Sequence, residues 1–203
     1  ASLLEEDGWR DFSPTDAQQI FGKLTWRGDS SRLDLSLTHV DTELVGNGAP
    51  PEDLLEIDPE TIFTHPDRTE NALTMLGLSA EQSLSPTVTL RGNLYLRASD
   101  IDTLNGDDSD FEECTGTPGF ICEEEGGAEQ IAFDENVLPI AADDELVGGS
   151  VNRTATEQDG KGFGLQADFT GDLGGRENLF TIGVSIDEAD VEFGASTELG
   201  PSV

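Results

Sequence analysis

Two cysteines, Cys114 and Cys122, have seven residues between them, among them Thr117-Pro118-Gly119. Zinc usually takes four ligands, and neither histidine of the chain, His39 or His65, lies nearby in sequence, so a metal site is poorly served. A disulfide closed over the Thr-Pro-Gly turn is the chemistry this spacing suits, and it implies an oxidising compartment. So small a loop gains about 2–3 kcal/mol at most from cross-linking. The carboxylates Asp100, Asp102, Asp107, Asp108 and Asp110 invite a calcium reading. Counted from Asp100, however, Gly106 falls at position seven and Phe111 at position twelve, where an EF-hand needs Gly at six and Glu at twelve. A solvated acidic segment is expected instead, with no metal and no cofactor. His65, in Thr64-His65-Pro66-Asp67, reads as a hydrogen-bonded loop residue. No nucleophile elbow, P-loop or dinucleotide fingerprint occurs, so no enzyme is expected.

Charge narrows the possibilities further. Asp and Glu number 43 against 10 Lys and Arg in 203 residues, a formal net charge of −33. That field repels phosphate backbones and argues against nucleic-acid partners. A surface so rich in acid and so poor in lysine suits a saline exterior. No apolar run approaches the roughly 18 residues of a spanning helix, whereas a membrane β-barrel gives no such run.

The elements that must position these groups show in a period of two. Val88, Leu90, Gly92, Leu94 and Leu96 oppose Thr89, Arg91, Asn93, Tyr95 and Arg97. Phe180, Ile182, Val184 and Ile186 alternate with Thr181, Gly183, Ser185 and Asp187, and Phe163, Leu165, Ala167 and Phe169 do likewise. Ile20, Gly22, Leu24 and Trp26 oppose Gln19, Phe21, Lys23 and Arg27, and Leu33, Leu35 and Leu37 oppose Asp34, Ser36 and Thr38. The segment from Asn71 to Gln82 carries apolar residues on both faces. The expected fold is all-β: an antiparallel meander of about six long strands near 16–27, 32–41, 70–82, 86–98, 161–171 and 177–193. Most are long enough to cross a bilayer as tilted strands, which takes about 9–11 residues.

Connections run short, long, short, long, short. The short ones hold turn residues, in Gly28-Asp29-Ser30, Ser85-Pro86 and Gly174-Gly175. The long ones, 42–69 and 99–160, hold most of the acidic excess. This asymmetry is that of outer-membrane barrels, with short periplasmic turns and long outer loops. Residues 1–203 are therefore expected to be part of a transmembrane β-barrel with two long acidic extracellular loops. Six strands do not close such a barrel, so more of it is expected outside this chain. Pro50 to Glu56 reads as a short helix in the first loop, with acids in its first turn.

Several stretches resemble a known family. Asp7-Gly8-Trp9-Arg10-Asp11-Phe12-Ser13 with Phe21-Gly22-Lys23-Leu24 is similar to early barrel strands of TonB-dependent outer-membrane receptors. So are Gly46-Asn47-Gly48, Pro51-Glu52-Asp53-Leu54-Leu55 and Phe63 to Asn71. Thr103-Leu104-Asn105-Gly106-Asp107, Gly162 to Gln166 and Ser196 to Gly200 resemble later stretches. The order of these matches spans nearly the whole chain. The resemblance implies a plugged barrel of about 22 strands in a Gram-negative outer membrane. It also implies uptake of a scarce nutrient such as a ferric siderophore, driven by a TonB complex acting through a plug domain not found here. Outer-membrane lipid, the TonB complex and a small solute such as a metal chelate are then the expected partners.

On this reading Lys23, Arg27, Arg91, Tyr95 and Arg97 face the lumen. They are candidates for contact with the solute or plug, against the plainer role of hydrating a polar wall. The alternative is a secreted, soluble, acidic β-sandwich acting in binding or adhesion, with or without calcium. The two differ in what covers the apolar face, lipid or a second sheet.

Overall fold

The structure, a computed structural model, describes residues 1–46, 50–109, 111–126, 128–143 and 148–201. Asp110, and Asn47 and Gly48 of the first long loop, lie outside the described residues. One antiparallel sheet carries seven strands: β1 (Ser2–Glu6), β2 (Thr15–Arg27), β3 (Ser31–Val45), β4 (Asp67–Ser85), β5 (Val88–Asp108), β9 (Gly148–Asp172) and β10 (Glu177–Pro201), in that spatial order. Between β5 and β9 the chain makes an excursion into a three-stranded sheet of β6 (Phe111–Glu113), β7 (Ile121–Glu125) and β8 (Ala128–Ile131). The one helix described, α1 (Glu52–Ile57), sits in the first long loop with Glu52 and Asp53 in its first turn. No described helix is long and apolar enough to cross a membrane, which says nothing of crossing by strands.

All six expected strands form, but most run further than the alternation showed. Strand β5 continues to Asp108 and β9 begins at Gly148, so the second long connection is 109–147 rather than 99–160. The first shrinks from 42–69 to 46–66. Strand β10 reaches Pro201, β1 adds a seventh strand, and the excursion holds three more. Asp100, Asp102, Asp107 and Asp108 are therefore strand residues and not part of a loop. The reason is chemical. In these upper halves acids such as Asp100, Asp102, Glu157 and Asp159 point outward, and Ile101, Thr103, Asn105 and Thr154 inward, so no simple apolar/polar alternation survives.

Turn chemistry closes the lower ends. Pro86 and Thr87 alone join β4 to β5. Gly174 and Gly175 adopt φ of 64° and 78° in the β9–β10 turn, a region costly for side chains with a Cβ. The Gly175 amide donates to Asp172 Oδ1 at 2.7 Å.

Register turns the meander into rows. Leu24, Leu35, Leu78, Leu94, Phe163 and Ile186 pair successively across six strands. Trp26, Leu33, Ala80, Gly92, Leu165 and Val184 make the next row on the same face. Between them lies Thr25, Asp34, Ser79, Asn93, Gly164 and Ser185, on the opposite face. Exposure separates the two faces. Along β9 the alternate residues from Thr154 to Asp168 are half-buried or buried, and most of those between them are exposed. The sheet therefore curves toward the polar face, which is concave, and turns its apolar face outward.

That convex face has no covering layer among the described residues. Leu24 is 70% exposed and Ile186 69%, whereas the buried apolar side chains among the described residues are Ile121, Cys114 and Cys122 in the excursion. The apolar band runs from Ile20 to Trp26 on β2, Val88 to Leu96 on β5 and Phe180 to Ile186 on β10. At about 3.4 Å per residue these spans measure roughly 20–27 Å along the strand, comparable with the apolar band of about 25 Å on barrel exteriors. The band drops in row from β2 to β10, the stagger that a tilted barrel wall requires. Its lower margin is aromatic: Trp26 on β2, and Phe169 and Phe180, whose ring centroids lie 6.0 Å apart, on β9 and β10.

Above the band the polarity of the faces inverts. The convex row Asp16, Glu43, Glu70 and Asp102 is carboxylate throughout, with Glu5 beyond it on β1. On the concave side the corresponding rows carry Phe21, Met75, Val40, Leu73, Ile101 and Phe193. This inversion is why Asn71 to Gln82 seemed apolar on both faces: Leu76 and Leu78 belong to the lower convex band, Leu73 and Met75 to the upper concave patch.

Candidate functional site

The concave face opposite the apolar band gathers Lys23, Arg27, Arg91, Tyr95 and Arg97 on one surface, as the period of two requires. Arg32 joins them, paired with Arg27 at the foot of β2 and β3. Its parity with Asp34 already put it on this side, but it stands just below the first clear alternation. Five of the ten basic residues thus lie here (Lys23, Arg27, Arg32, Arg91 and Arg97). Only Asp34, Glu81, Asp168 and Asp187 share the same rows as carboxylates, in a chain with 43.

Most of these charges are already partnered within the wall. Asp34 accepts from Thr25 and from Arg32 Nε at 2.9 Å, and Lys23 Nζ stands 3.6 Å from it. Arg91 Nε donates to Glu81 Oε2 at 2.9 Å, and the same guanidinium pairs with Asp168. Asp168, 5% exposed, also accepts from Thr181 Oγ1 at 2.7 Å and Gln166 Nε2 at 2.8 Å. These bonds stitch β2 to β3 and β4 through β5 and β9 to β10. Arg32, Asp34, Glu81, Arg91, Asn93 and Gln166 line a groove of about 670 Å³ on this face.

Glycines let side chains cross strands. Tyr95 on β5 reaches over β9 to donate to Asp187 Oδ1 on β10 at 2.8 Å. It can do so because Gly162 lies between: a Cβ there would fall 2.2 Å from Tyr95 Cε1 and 2.4 Å from Asp187 Oδ1. Gly164 makes the same room for Asn93, whose Oδ1 would stand 2.4 Å from an added Cβ. Gly160, Gly162 and Gly164 therefore form a track down the concave face of β9.

The other expected sites separate. Cys114 and Cys122 are disulfide-bonded, with Cα atoms 5.0 Å apart, and pack on Ile121 inside the excursion. Asp100 and Asp102 point to the convex face of β5 and Asp107 to the concave one, because an odd step in sequence changes face on a strand. Asp108 is convex again, at the upper end of β5. Among the described residues no group of three or more His, Cys, Asp or Glu is placed to hold a metal ion. His39 Nδ1 lies 3.0 Å from Thr74 Oγ1, and the His65 ring stacks on Phe12 at 4.8 Å. In the excursion Glu129 accepts from the Thr115 hydroxyl at 2.6 Å and from the Thr115 and Gly116 amides at 3.2 Å each. These bonds, the hydroxyl foremost, hold its carboxyl below the ordinary glutamate range.

A staggered antiparallel meander, polar within its curve and banded with apolar side chains outside, is a β-barrel wall in kind. No protein-family model matches the chain, and no curated protein does. Among solved structures it is similar to the ferric-catecholate import receptor Fiu of E. coli K12 in its open form, at 11% identity and a TM-score of 0.44. The match covers 96% of this chain and 46% of that one, so the chain spans less than half the receptor's length.

Proposed function

We infer that this chain is a wall segment of an outer-membrane β-barrel receptor of the TonB-dependent kind, serving uptake of a small nutrient such as a ferric siderophore. The observation that carries the reading is the uncovered convex band. Some twenty apolar side chains, each worth about 1.5–3 kcal/mol when removed from water, would otherwise face solvent. Apolar patches beyond a few hundred Å² mark a contact surface, and lipid is the partner whose geometry is a band of this height. The nutrient class rests on the sequence resemblance. Lys23, Arg27, Arg91, Tyr95 and Arg97 then line the solute path or meet the plug through which TonB acts.

Refolding with and without detergent micelles tests the reading. Aggregation in buffer and recovery of β-structure in micelles is the expected result. A monodisperse, cooperatively unfolding monomer in plain buffer would overturn it in favour of a soluble module.

A further inference from the structure

The cations of the concave face are not equivalent. In a chain with 43 carboxylates, six basic residues have one within ion-pair distance among the described residues: Lys23, Arg32, Arg68, Arg91, Arg153 and Lys161. Arg97 has none among the described residues. Its row neighbours are Met75, Gly160 and Ala189, and its strand neighbours on the same face are Tyr95 and Ser99. Asp187, the nearest concave carboxylate by register, is engaged by Tyr95.

The guanidinium lies along the glycine track. Its Nε and Nη2 come within 3.7 Å of where a Gly160 Cβ would stand, and Nε is buried with no hydrogen-bond partner. A buried, unpaired donor on a permanent cation is costly unless an acceptor completes it. The space that Gly160 leaves open lies beside this group, and the side chain remains half-exposed to the concave side.

We propose that Arg97, lying on the glycine track of β9 beside the Tyr95–Asp187 bond, is an oxyanion-binding point of the concave face, built to take a carboxylate. This deepens the wall reading, since it takes the concave side to be the lumen. It also divides the sequence-level candidates. Lys23, Arg91 and Tyr95 hold the wall together, Arg27 at the foot of β2 has no ion pair among the described residues either, and Arg97 is the one whose Nε is buried without a partner and so placed to receive an anion. The carboxylate has two possible sources, a small solute or an acidic protein segment seated in the lumen.

The test follows arginine Nε–H resonances of the full chain in zwitterionic detergent micelles, assigned by loss in Arg97→Lys and Arg91→Lys. Citrate serves as the small probe, hexaglutamate as the protein-like one and sodium chloride as the control. The expected result is a saturable shift of the Arg97 signal with the Arg91 signal unmoved. Arg97→Gln should weaken probe binding roughly tenfold, as loss of a charge-assisted contact would, and Arg97→Lys should restore part of it. Preference for citrate assigns the point to solute, and preference for hexaglutamate to a protein segment. An Arg97 signal that stays still, or that moves with every arginine in chloride alone, overturns the proposal. Should the chain fold in plain buffer, the wall reading fails. The same titration run there still decides whether Arg97 binds oxyanions on a soluble sheet.

Discussion

Placing a charge on the convex band gives the sharpest test of what covers it. Strand β5 offers a ruler, with its apolar residues Val88, Leu90, Leu94 and Leu96 on one face and Arg91, Asn93 and Tyr95 on the other. The centre of its span is Gly92, so Leu90 and Leu94 lie near mid-band and Val88 and Leu96 near its margins. In a bilayer, Arg should cost about 2–4 kcal/mol at Leu90 or Leu94 and fall to about 0–1 kcal/mol at Val88 or Leu96. Asn93→Arg enters a face that already carries Arg91 and Arg97, and should cost close to nothing. Equilibrium unfolding in urea from lipid vesicles, followed by tryptophan emission, reads the series. The depth profile is the decisive quantity. Equal costs at all four positions would refute a lipid-facing band, and negligible costs throughout would mean that water covers this face. A large penalty at Asn93 with none at Leu94 would mean that inside and outside have been exchanged.

Three further outcomes follow from the same geometry. Gly162→Ala should lower the unfolding midpoint by driving the Tyr95 ring from Asp187, and in a Tyr95→Phe background the same change should do little harm; equal effects in both would dismiss the cross-strand bond. Because the Glu129 carboxyl is held below its ordinary value of 4.5, its contribution is present above that value and is lost as pH falls through the lower folded one. The protection factors of the Thr115 and Gly116 amides, measured against the intrinsic exchange rate at each pH, should accordingly fall in acid, and Glu129→Gln should remove that dependence. Opening the disulfide with Cys114→Ser and Cys122→Ser should cost the excursion about 2–3 kcal/mol at most and raise exchange in β7 and β8, leaving β2 to β5 unchanged.

What the sequence discloses follows the physics of each region. Within the apolar band one face is hydrophobic and the other is not, so a period of two reports both the strand and its inward residues. Lys23, Arg91, Tyr95 and Arg97 could be sided from it directly. Above the band many outward residues become Asp and Glu, as at Asp100, Asp102, Glu157 and Asp159, and the inward ones include Thr, Asn and a few apolar groups. Alternation then has nothing to contrast, and β5 from Ser99 to Asp108 and β9 from Gly148 to Gly160 pass for loop. The strands β6 to β8 are too short for any period to register, and Cys114 and Cys122 were the only legible sign of order there. Partnerships were beyond reach for another reason. That Tyr95 meets Asp187 across Gly162 depends on the β5–β9–β10 register, which joins residues separated by 92 positions.

The inversion of the two faces also bears on the acidity of the chain. Asp16, Glu43, Glu70 and Asp102 are direct neighbours across four strands, an arrangement in which like charges repel. Among the described residues Arg68 alone answers them, at 3.5 Å from Glu43 and 3.3 Å from Glu70. A row of this kind cannot lie in hydrocarbon, so it fixes the upper limit of any lipid contact. It needs water and counterions, and screening at high ionic strength relieves its repulsion. The net charge of −33 is thus organised in space. Carboxylates crowd the convex rows above the band, while the concave face below keeps half of the cations and four carboxylates to balance them. A soluble sandwich would have to bury the band under a second sheet while leaving these rows and the concave cations in solvent. A barrel wall would meet all three demands with one layer, with lipid over the band, water on the acidic rows and the cations facing the lumen.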